Sequence, residues 1–379
     1  MIKITDPKDC CGCTACTSIC PHQAITMQPD NLGFLYPQIE YKRCVDCKLC
    51  ERVCPILQRK ESEYNTEPLS YKAARNRDIS TLLWSTSGGV FPALAQYIIS
   101  LGGIVYGVAY SEEMEVVHTF SETIEECSKF AGSKYVQSNL NGIFRKIRSE
   151  VKSGRIVLFS GTPCQVAGLR SFLHNKYDNL FLIDIICHAV PSPNVFRDYV
   201  NYVEKQLGHK LKSIRMRDKT RYGWGHVTST CYVFDNDEFV IDPAGLKSWN
   251  SIYFSALVNR PSCSDCKFCN LSRSGDITIG DYWDDDNKHP ELYCNDGTSL
   301  ILINTKKGSD LFKQLKKVDS WDLTKMEALQ YNLQYSSKDS ALASSFAQNY
   351  TKHGFNYVYK KYISKSNIRL IFDRLKKIL

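Results

Sequence analysis

Cysteine is the residue type in this chain with the clearest capacity for chemistry. The chain has 379 residues and 17 cysteines, and nine of the cysteines lie within residues 1–57. Eight of these nine form two copies of the pattern C-x2-C-x2-C-x3-C-P, with cysteines at 10, 13, 16 and 20 and again at 44, 47, 50 and 54. At this spacing three thiolates of one tight loop turn toward a common centre, and a fourth comes from elsewhere. The sequence therefore predicts two 4Fe-4S clusters.

This segment resembles a bacterial-type two-cluster ferredoxin, in which the fourth thiolate comes from the opposite motif. The resemblance implies one cluster on Cys10, Cys13, Cys16 and Cys54, and another on Cys44, Cys47, Cys50 and Cys20. Two zinc sites are the alternative, but zinc would use four local cysteines and does not need a third cysteine at x2 spacing or a following proline. Cys11 fits neither repeat and is interpreted as a bystander.

The composition is that of a globular protein of two or three domains. Apolar residues make up 43% and charged residues 23% of the chain, which excludes a largely disordered protein. The start has no apolar signal segment, and no stretch approaches about 18 uncharged apolar residues, so we expect a cytoplasmic protein. The net charge is +8, but residues 352–379 hold eight Lys or Arg and one acid. The nearly neutral remainder argues against binding of nucleic acid.

Strand and helix patterns alternate beyond a polar segment at 58–68. Strands are predicted at 104–110, 156–159, 180–187, 277–279 and 299–304, and helices at 90–100, 140–152, 165–173 and 194–206. Residues 216–240 are predicted to form hairpins. This order predicts an α/β (α+β) body with a mixed sheet, preceded by the small ferredoxin segment.

Four further motifs stand out in the body. They are STSGGVF at 85–91, GTPCQVAGL at 161–169, ICHAVPSP at 186–193, and PSCSDC at 261–266 followed by DITIGDYW at 276–283. Together they resemble the coenzyme F420 hydrogenase/dehydrogenase beta-subunit family. That resemblance implies an iron–sulfur flavoprotein that binds FAD. Ala189 and Asp284 stand where the family usually has glycine, so we expect a change in loop shape at both positions.

Four body cysteines have positions suited to a third cluster. Cys164 lies in a strand-to-helix turn, where N–H groups and the helix end favour a thiolate. Cys187 ends an apolar strand, where functional groups of α/β sheets collect. With Cys263 and Cys266 they supply the four thiolates of one cube, and the family pattern supports this set. The rival set is Cys263, Cys266 and Cys269 completed by Cys164 or Cys187.

The resemblance also implies a flavin site. Ser87, Gly88 and Gly89 precede a helical run, where small residues let a pyrophosphate approach backbone amides, although a plain helix cap has the same sequence. Other residues at matching family positions, each equally compatible with a packing or solvated side chain, are Ser133, Lys134, Tyr135, Gly161, Thr162, Arg217, Lys219 and Trp224. We interpret His188 and Lys134 as candidate catalytic residues, with a structural histidine as the alternative at 188.

These features predict an iron–sulfur flavoprotein oxidoreductase that passes electrons between 4Fe-4S clusters, FAD and an organic substrate or deazaflavin coenzyme. The resemblance implies a ferredoxin or a redox partner subunit as partner, and polysaccharide biosynthesis as a setting, because bacterial relatives with this layout often accompany such genes. A non-catalytic electron-transfer adaptor subunit is the alternative.

The predicted domains are a two-cluster ferredoxin domain at 1–57, a linker at 58–68, a flavin and iron–sulfur domain at 69–350 and a basic amphipathic tail at 351–379. Apolar residues at helical spacing beside Lys and Arg define the tail. We expect this tail to pack on the body, and docking on an acidic lipid surface is the alternative.

Overall fold

The computed structural model of the protein describes residues 1–58, 67–140, 142–284 and 288–364. Within these ranges no helix has the length and apolar character needed to cross a membrane. Most of the predicted linker and the amphipathic part of the predicted tail lie outside the described residues.

The described residues contain strands in the N-terminal segment and throughout the body. The strands are β1 (Ile25–Pro29), β2 (Leu35–Ile39), β3 (Ser70–Asn76), β4 (Ile104–Tyr110), β5 (Val116–Ser121), β6 (Val157–Gly161), β7 (Leu180–Ile185), β8 (Leu211–Met216), β9 (Thr230–Phe234), β10 (Phe239–Ile241), β11 (Ile277–Asp281), β12 (Ser299–Ile303) and β13 (Val318–Leu323).

Helices alternate with these strands. They are α1 (Ala15–Ile19), α2 (Leu49–Arg52), α3 (Ile79–Trp84), α4 (Val90–Ser100), α5 (Ile124–Cys127), α6 (Ile143–Lys152), α7 (Pro163–Leu173), α8 (Pro193–Leu207), α9 (Trp249–Phe254), α10 (Lys306–Phe312), α11 (Lys325–Ala328), α12 (Ala343–His353) and α13 (Phe355–Val358).

An eight-stranded mixed sheet forms the centre of the body, in the order β13-β3-β12-β11-β7-β6-β4-β5. The inner strands β4, β6, β7 and β11 are parallel, and antiparallel strands flank them on both sides. Parallel strands are buried on both faces, which explains their nearly continuous apolar sequences. Because β6, β7 and β11 run in the same direction, the turns that follow them meet at one edge of the sheet. We call this the carboxyl edge.

Helices cover both faces of the sheet. On one face Leu94 and Ile98 of α4 pack with Leu158 and Ile277. On the other face α6 and α7 pack on β4, β6 and β7, and Ala15 and Val53 of the N-terminal segment belong to the same core. The N-terminal segment therefore shares a core with the body. A second sheet, β10-β9-β8, packs with α8, α9, α12 and α13.

The predicted mixed α/β fold is confirmed, and α4 and β4 have the predicted bounds. The prediction of hairpins at 216–240 is only partly correct, since β9 and β10 form one hairpin and residues 217–229 form turns. Strand β13 was not predicted because it lies at the sheet edge and its residues are mostly exposed, so it lacks an apolar run.

Candidate redox centre

Two groups of four cysteines surround two small cavities in the N-terminal segment. The first cysteine group consists of Cys10, Cys13, Cys16 and Cys54, and Cys11 also lines this cavity. The second cysteine group consists of Cys20, Cys44, Cys47 and Cys50. Each group combines three cysteines of one motif with the fourth of the other, which is the arrangement implied by the ferredoxin resemblance.

The donor set fits a cube in both cavities. Apolar side chains complete the walls, including Ile4 and Met27 around the first group and Ile25 and Ile39 around the second. Among the described residues, no three His, Cys, Asp or Glu side chains converge on a single metal ion. The thiolates of a cube bind different iron atoms, so they surround the cluster instead of meeting at one point.

Left-handed backbone conformations shape both cysteine loops. In the first loop Gly12 has φ 71° and Thr14 has φ 61°, and in the second the equivalent residues Asp46 and Lys48 have φ 49° and 60°. Non-glycine residues adopt positive φ at a cost, so three such residues in two short loops indicate a conformation imposed by the site. These turns direct successive sulfurs toward one side of each loop.

A third cysteine group, Cys164, Cys187, Cys263 and Cys266, gathers at the carboxyl edge of the sheet. Cys164 opens α7 after β6, Cys187 follows β7, and Cys263 ends the 3-10 turn Pro261–Cys263. Burial raises the pKa of the Cys187 thiol, and the charges of Cys263, Cys164 and Cys266 raise it further. Each of the six pairs within this group is close enough for the charge of one thiolate to raise the pKa of the other. The fold therefore assembles four thiols from three distant segments.

Cys269 lies beside this group but is not equivalent to its members. A hydrogen bond to Cys266 and burial raise the pKa of Cys269, and its other cysteine neighbour is Cys187. Cys164 and Cys263 interact with the other members of the third group, and Cys269 is not among their main neighbours. Cys269 therefore has Cys266 and Cys187 as its cysteine neighbours, whereas Cys164 and Cys263 neighbour each other and Cys266.

A buried ion pair fixes the loop that carries these cysteines. Arg273 and Asp184 of β7 are 3.0 Å apart, with side chains 1% and 0% exposed. Arg273 also donates hydrogen bonds to the carbonyls of Ile185, at 2.9 Å, and Phe268, at 3.1 Å. Because the pair is fully hydrogen-bonded, it orients both segments despite the cost of burying charge. It joins the end of β7, before Cys187, to the loop that contains Cys266.

Cys11 occupies a position that its spacing did not indicate. Its thiol interacts with those of Cys13 and Cys164, so it lies between the first and third cysteine groups. Gly168 of α7 permits this approach, because a Cβ atom there would lie 2.7 Å from Cys13 Cβ and 2.9 Å from Cys13 Sγ. The first and third groups therefore face each other across one buried thiol.

A cavity of about 320 Å³ adjoins the third cysteine group, with Cys187 in its wall. Most of the residues that the sequence predicts for flavin binding and catalysis line this cavity. They are Ser87, Gly89, Ser133, Lys134, Tyr135, Gly161, Thr162, His188 and Arg217. Residues from several distant segments thus line one space.

The remaining predicted flavin residues lie behind the cavity wall. Gly88 packs on the sheet, where a Cβ atom would lie 2.4 Å from the carbonyl oxygen of Ala74. Lys219 Nζ donates a hydrogen bond to the Ser87 carbonyl oxygen at 3.1 Å. Trp224 stacks on Trp283, which lines the cavity, with ring centroids 4.5 Å apart. These residues position the wall.

Charged and titratable side chains concentrate at this cavity. Burial lowers the pKa of Lys134 to about 7, and its Nζ donates to the carbonyl of Ala131 at 3.0 Å. Burial also lowers the pKa of His188, whose Nδ1 is 3.1 Å from Asn332 Oδ1. That contact assigns the ring proton to Nδ1 and leaves Nε2 as an acceptor.

Arg217 is held in the cavity wall by its backbone conformation, an ion pair and an aromatic ring. It has φ 61°, forms an ion pair with Asp281, and its guanidinium carbon lies 4.9 Å from the ring centroid of Trp283. Its Nε and Nη2 atoms are buried and donate no hydrogen bond of ordinary geometry to the described residues. The guanidinium also interacts with the side chain of Tyr135, which lines the same cavity. Sequence reasoning missed Asp281 and Trp283, although both lie in the DITIGDYW motif.

The two departures from the family pattern have different outcomes. Asp284 has φ 49°, a conformation that favours glycine, and its carboxylate accepts hydrogen bonds from the backbone N–H groups of Lys288 and His289 at 3.0 and 2.8 Å. Ala189 is not among the described residues with positive φ. Only Asp284 therefore carries the conformational cost expected from replacing a glycine.

Two family models match the chain. Residues 154–328 match the model for the C terminus of the coenzyme F420 hydrogenase/dehydrogenase beta subunit, and residues 9–56 match the 4Fe-4S dicluster domain. The chain carries a domain of each family. It is therefore an iron–sulfur protein related to this beta subunit, and its N-terminal segment is a 4Fe-4S dicluster domain.

Comparison with individual proteins gives less detail. None of the curated proteins matches the chain. Among solved structures, a chain of the xenon-derivatised F420-reducing NiFe hydrogenase complex from Methanosarcina barkeri is similar, with 16% identity and a TM-score of 0.48 over 79% of this chain and 92% of that chain.

Proposed function

We propose that this protein is an iron–sulfur flavoprotein oxidoreductase in which the dicluster domain serves a third cluster and an FAD in the body. When bound, 4Fe-4S cubes carry single electrons and a flavin exchanges them for two-electron chemistry. The observation that carries the proposal is continuity: Cys11 lies between the first and third cysteine groups, and Cys187 of the third group lines the large cavity.

The three cysteine groups are the proposed ligand sets. In this assignment a ferredoxin domain at 1–57 supplies the first two sets, and a body at 69–350 supplies the third. Burial raises the pKa of Cys16 and Cys54 in the first group and of Cys187 and Cys263 in the third, and iron binding would reverse this by stabilising the thiolates. Assembly of the first and third clusters would therefore release protons from buried cysteines.

The large cavity is the proposed flavin site. Its volume falls within the range of about 300–1,000 Å³ that is common for small-molecule sites. The N-terminus of α4 faces it through Gly89 and Val90, and no side chain caps this helix. Free N–H groups at a helix start suit a pyrophosphate. The buried guanidinium of Arg217, beside Tyr135 in the cavity wall, suits an acceptor on the cofactor or substrate.

Lys134 and His188 are the proposed proton-handling groups. With a pKa near 7, Lys134 is partly protonated at neutral pH and can release or accept a proton without a large cost. His188, whose pKa is lowered by burial, is neutral at that pH and can accept a hydrogen bond or proton at Nε2. Both residues line the space where substrate would meet the flavin.

The proposed acceptor is an organic molecule or a deazaflavin coenzyme, since the family matched by residues 154–328 is named for coenzyme F420. A precursor in polysaccharide synthesis is an organic acceptor consistent with the sequence resemblance. A ferredoxin or a redox partner subunit is the proposed electron partner of the dicluster domain.

Flavin content and turnover test this proposal. Acid release from the anaerobically purified full chain should yield about one FAD per chain, and a reduced dye should support turnover with a suitable acceptor. Arg217→Met should weaken FAD retention or substrate binding. Arg215→Met is the matched control, because Arg215 is two residues away and does not line the cavity. An iron-loaded chain that neither contains nor takes up FAD would contradict the proposal and favour the adaptor.

A further inference from the structure

Arg260 is a fully buried arginine at the junction of the dicluster domain and the body. It directly precedes the turn that contains Cys263, whose N–H donates to the Arg260 carbonyl at 2.9 Å. Its Nε donates to the carbonyl of Cys10 at 2.7 Å, and its Nη2 donates to that of Leu35 at 3.0 Å. One side chain therefore links the backbone of a first-group cysteine to the loop of a third-group cysteine.

The charge of Arg260 has no carboxylate partner in the part of the chain that the structure describes. Its third nitrogen, Nη1, donates a hydrogen bond to the neutral amide oxygen of Gln137 at 2.7 Å. The ring centroid of Tyr36 lies 4.4 Å from the guanidinium carbon. A buried cation is strongly unfavourable unless negative charge compensates it. The described protein atoms around Arg260 offer only dipoles and two aromatic rings, those of Tyr36 and Phe34, for this purpose.

The cysteine groups on both sides of Arg260 provide the missing negative charge when they are loaded. A cube with four thiolate ligands is anionic, and each one-electron reduction makes it one unit more negative. A nearby buried cation favours the reduced form, because charges interact strongly where water is excluded.

We propose that Arg260 is a positioning residue and the shared counter-charge of the first and third clusters, and that it raises the reduction potentials of both. This inference rests on the proposed function, which includes the third cluster. The second cysteine group is not among the contacts of Arg260, so its cluster should be much less affected.

A redox titration followed by electron paramagnetic resonance tests the inference on the full, cluster-loaded chain. Iron per chain is measured first for every variant. At a fixed applied potential, Arg260→Met should lower the ratio of reduced to oxidised first and third clusters about tenfold, which is ~59 mV for a one-electron couple. Arg260→Lys should retain most of the wild-type ratio. Arg260→Gln removes the charge but keeps a donor, so it repeats the test if the Met variant loads poorly.

Arg145 provides the matched control. It also donates to carbonyls of the dicluster domain, those of Ser18 at 2.8 Å, Thr17 at 2.9 Å and Cys20 at 3.1 Å, but it is exposed. Arg145→Met should therefore leave the ratio of reduced to oxidised cluster unchanged for both the first and the third cluster. Unchanged ratios in fully loaded Arg260→Met or Arg260→Gln, or an equal fall in Arg145→Met, would overturn the inference. If the wild-type chain holds only about eight iron atoms, enough for two cubes, there is no third cluster. Arg260 would then be the counter-charge of the first cluster alone.

Discussion

Gly168→Ala should disturb the contact between α7 and the dicluster domain. In a helix this substitution alone stabilises a protein by about 1 kcal/mol. Here the added Cβ would lie 2.7 Å from Cys13 Cβ and 2.9 Å from Cys13 Sγ. Carbon atoms pack at about 3.5–4.0 Å, so Cys13 or α7 must move by about 1 Å. Such overpacking costs about 1–3 kcal/mol, and we expect the upper end because Cys13 is buried between two residues with left-handed backbone, Gly12 and Thr14. We therefore expect a net loss of about 2 kcal/mol.

Thermal unfolding and the spectrum of the first cluster measure this effect. Ser171→Ala, on the same helix, is the control, and it should stabilise the protein by about 0.5 kcal/mol because it adds helix propensity. Gly168→Ala should lower the melting temperature and alter the first cluster, while the second cluster keeps its spectrum. If Gly168→Ala raises the melting temperature as Ser171→Ala does, with an unchanged first cluster, the described packing of Cys13 on α7 is wrong.

Three further predictions concern the cysteines and Lys134. Cys54→Ser should damage the first cluster and spare the second, because Cys54 lines the first cavity; spectra that show only the second cluster disturbed would contradict the crossed pairing. Cys263→Ser should remove about four iron atoms per chain, whereas Cys269→Ser should remove none. Loss of about four iron atoms in Cys269→Ser would favour the local triad of Cys263, Cys266 and Cys269. The pKa of Lys134 is lowered to about 7, so its proton is present below pH 7 and lost above it. If turnover uses that proton, the rate should fall as pH rises through 7, and Lys134→Met should flatten the profile; an unchanged profile in the variant would exclude this role.

The sequence was most informative where one short segment determines the geometry. The x2 spacers of the dicluster motifs act within seven residues, so their pattern is visible in the chain itself. The left-handed conformations of Thr14, Asp46 and Lys48 were not predicted, because these residue types do not indicate positive φ. The apolar runs of the parallel strands are similarly local, because burial on both faces requires them. For the same reason β13, an exposed edge strand, could not be predicted from its composition.

Contacts between distant segments were not predictable in the same way. Nothing in the spacing of Cys11 indicates a contact with Cys164, since only the docking of the dicluster domain on α7 brings them together. The partners of Arg217 were also missed, because Asp281 and Trp283 follow a different strand. Gly88 was predicted as a ligand contact, but its lack of a side chain serves packing on the sheet.

The iron content of the wild-type full chain, reconstituted and purified without oxygen, tests most directly whether the body holds a cluster between the dicluster domain and the large cavity. We predict about 12 iron atoms per chain, which corresponds to three cubes of four. A content of about 8, with both dicluster spectra intact, would contradict the third cluster and the proposed continuity from Cys13 to the cavity.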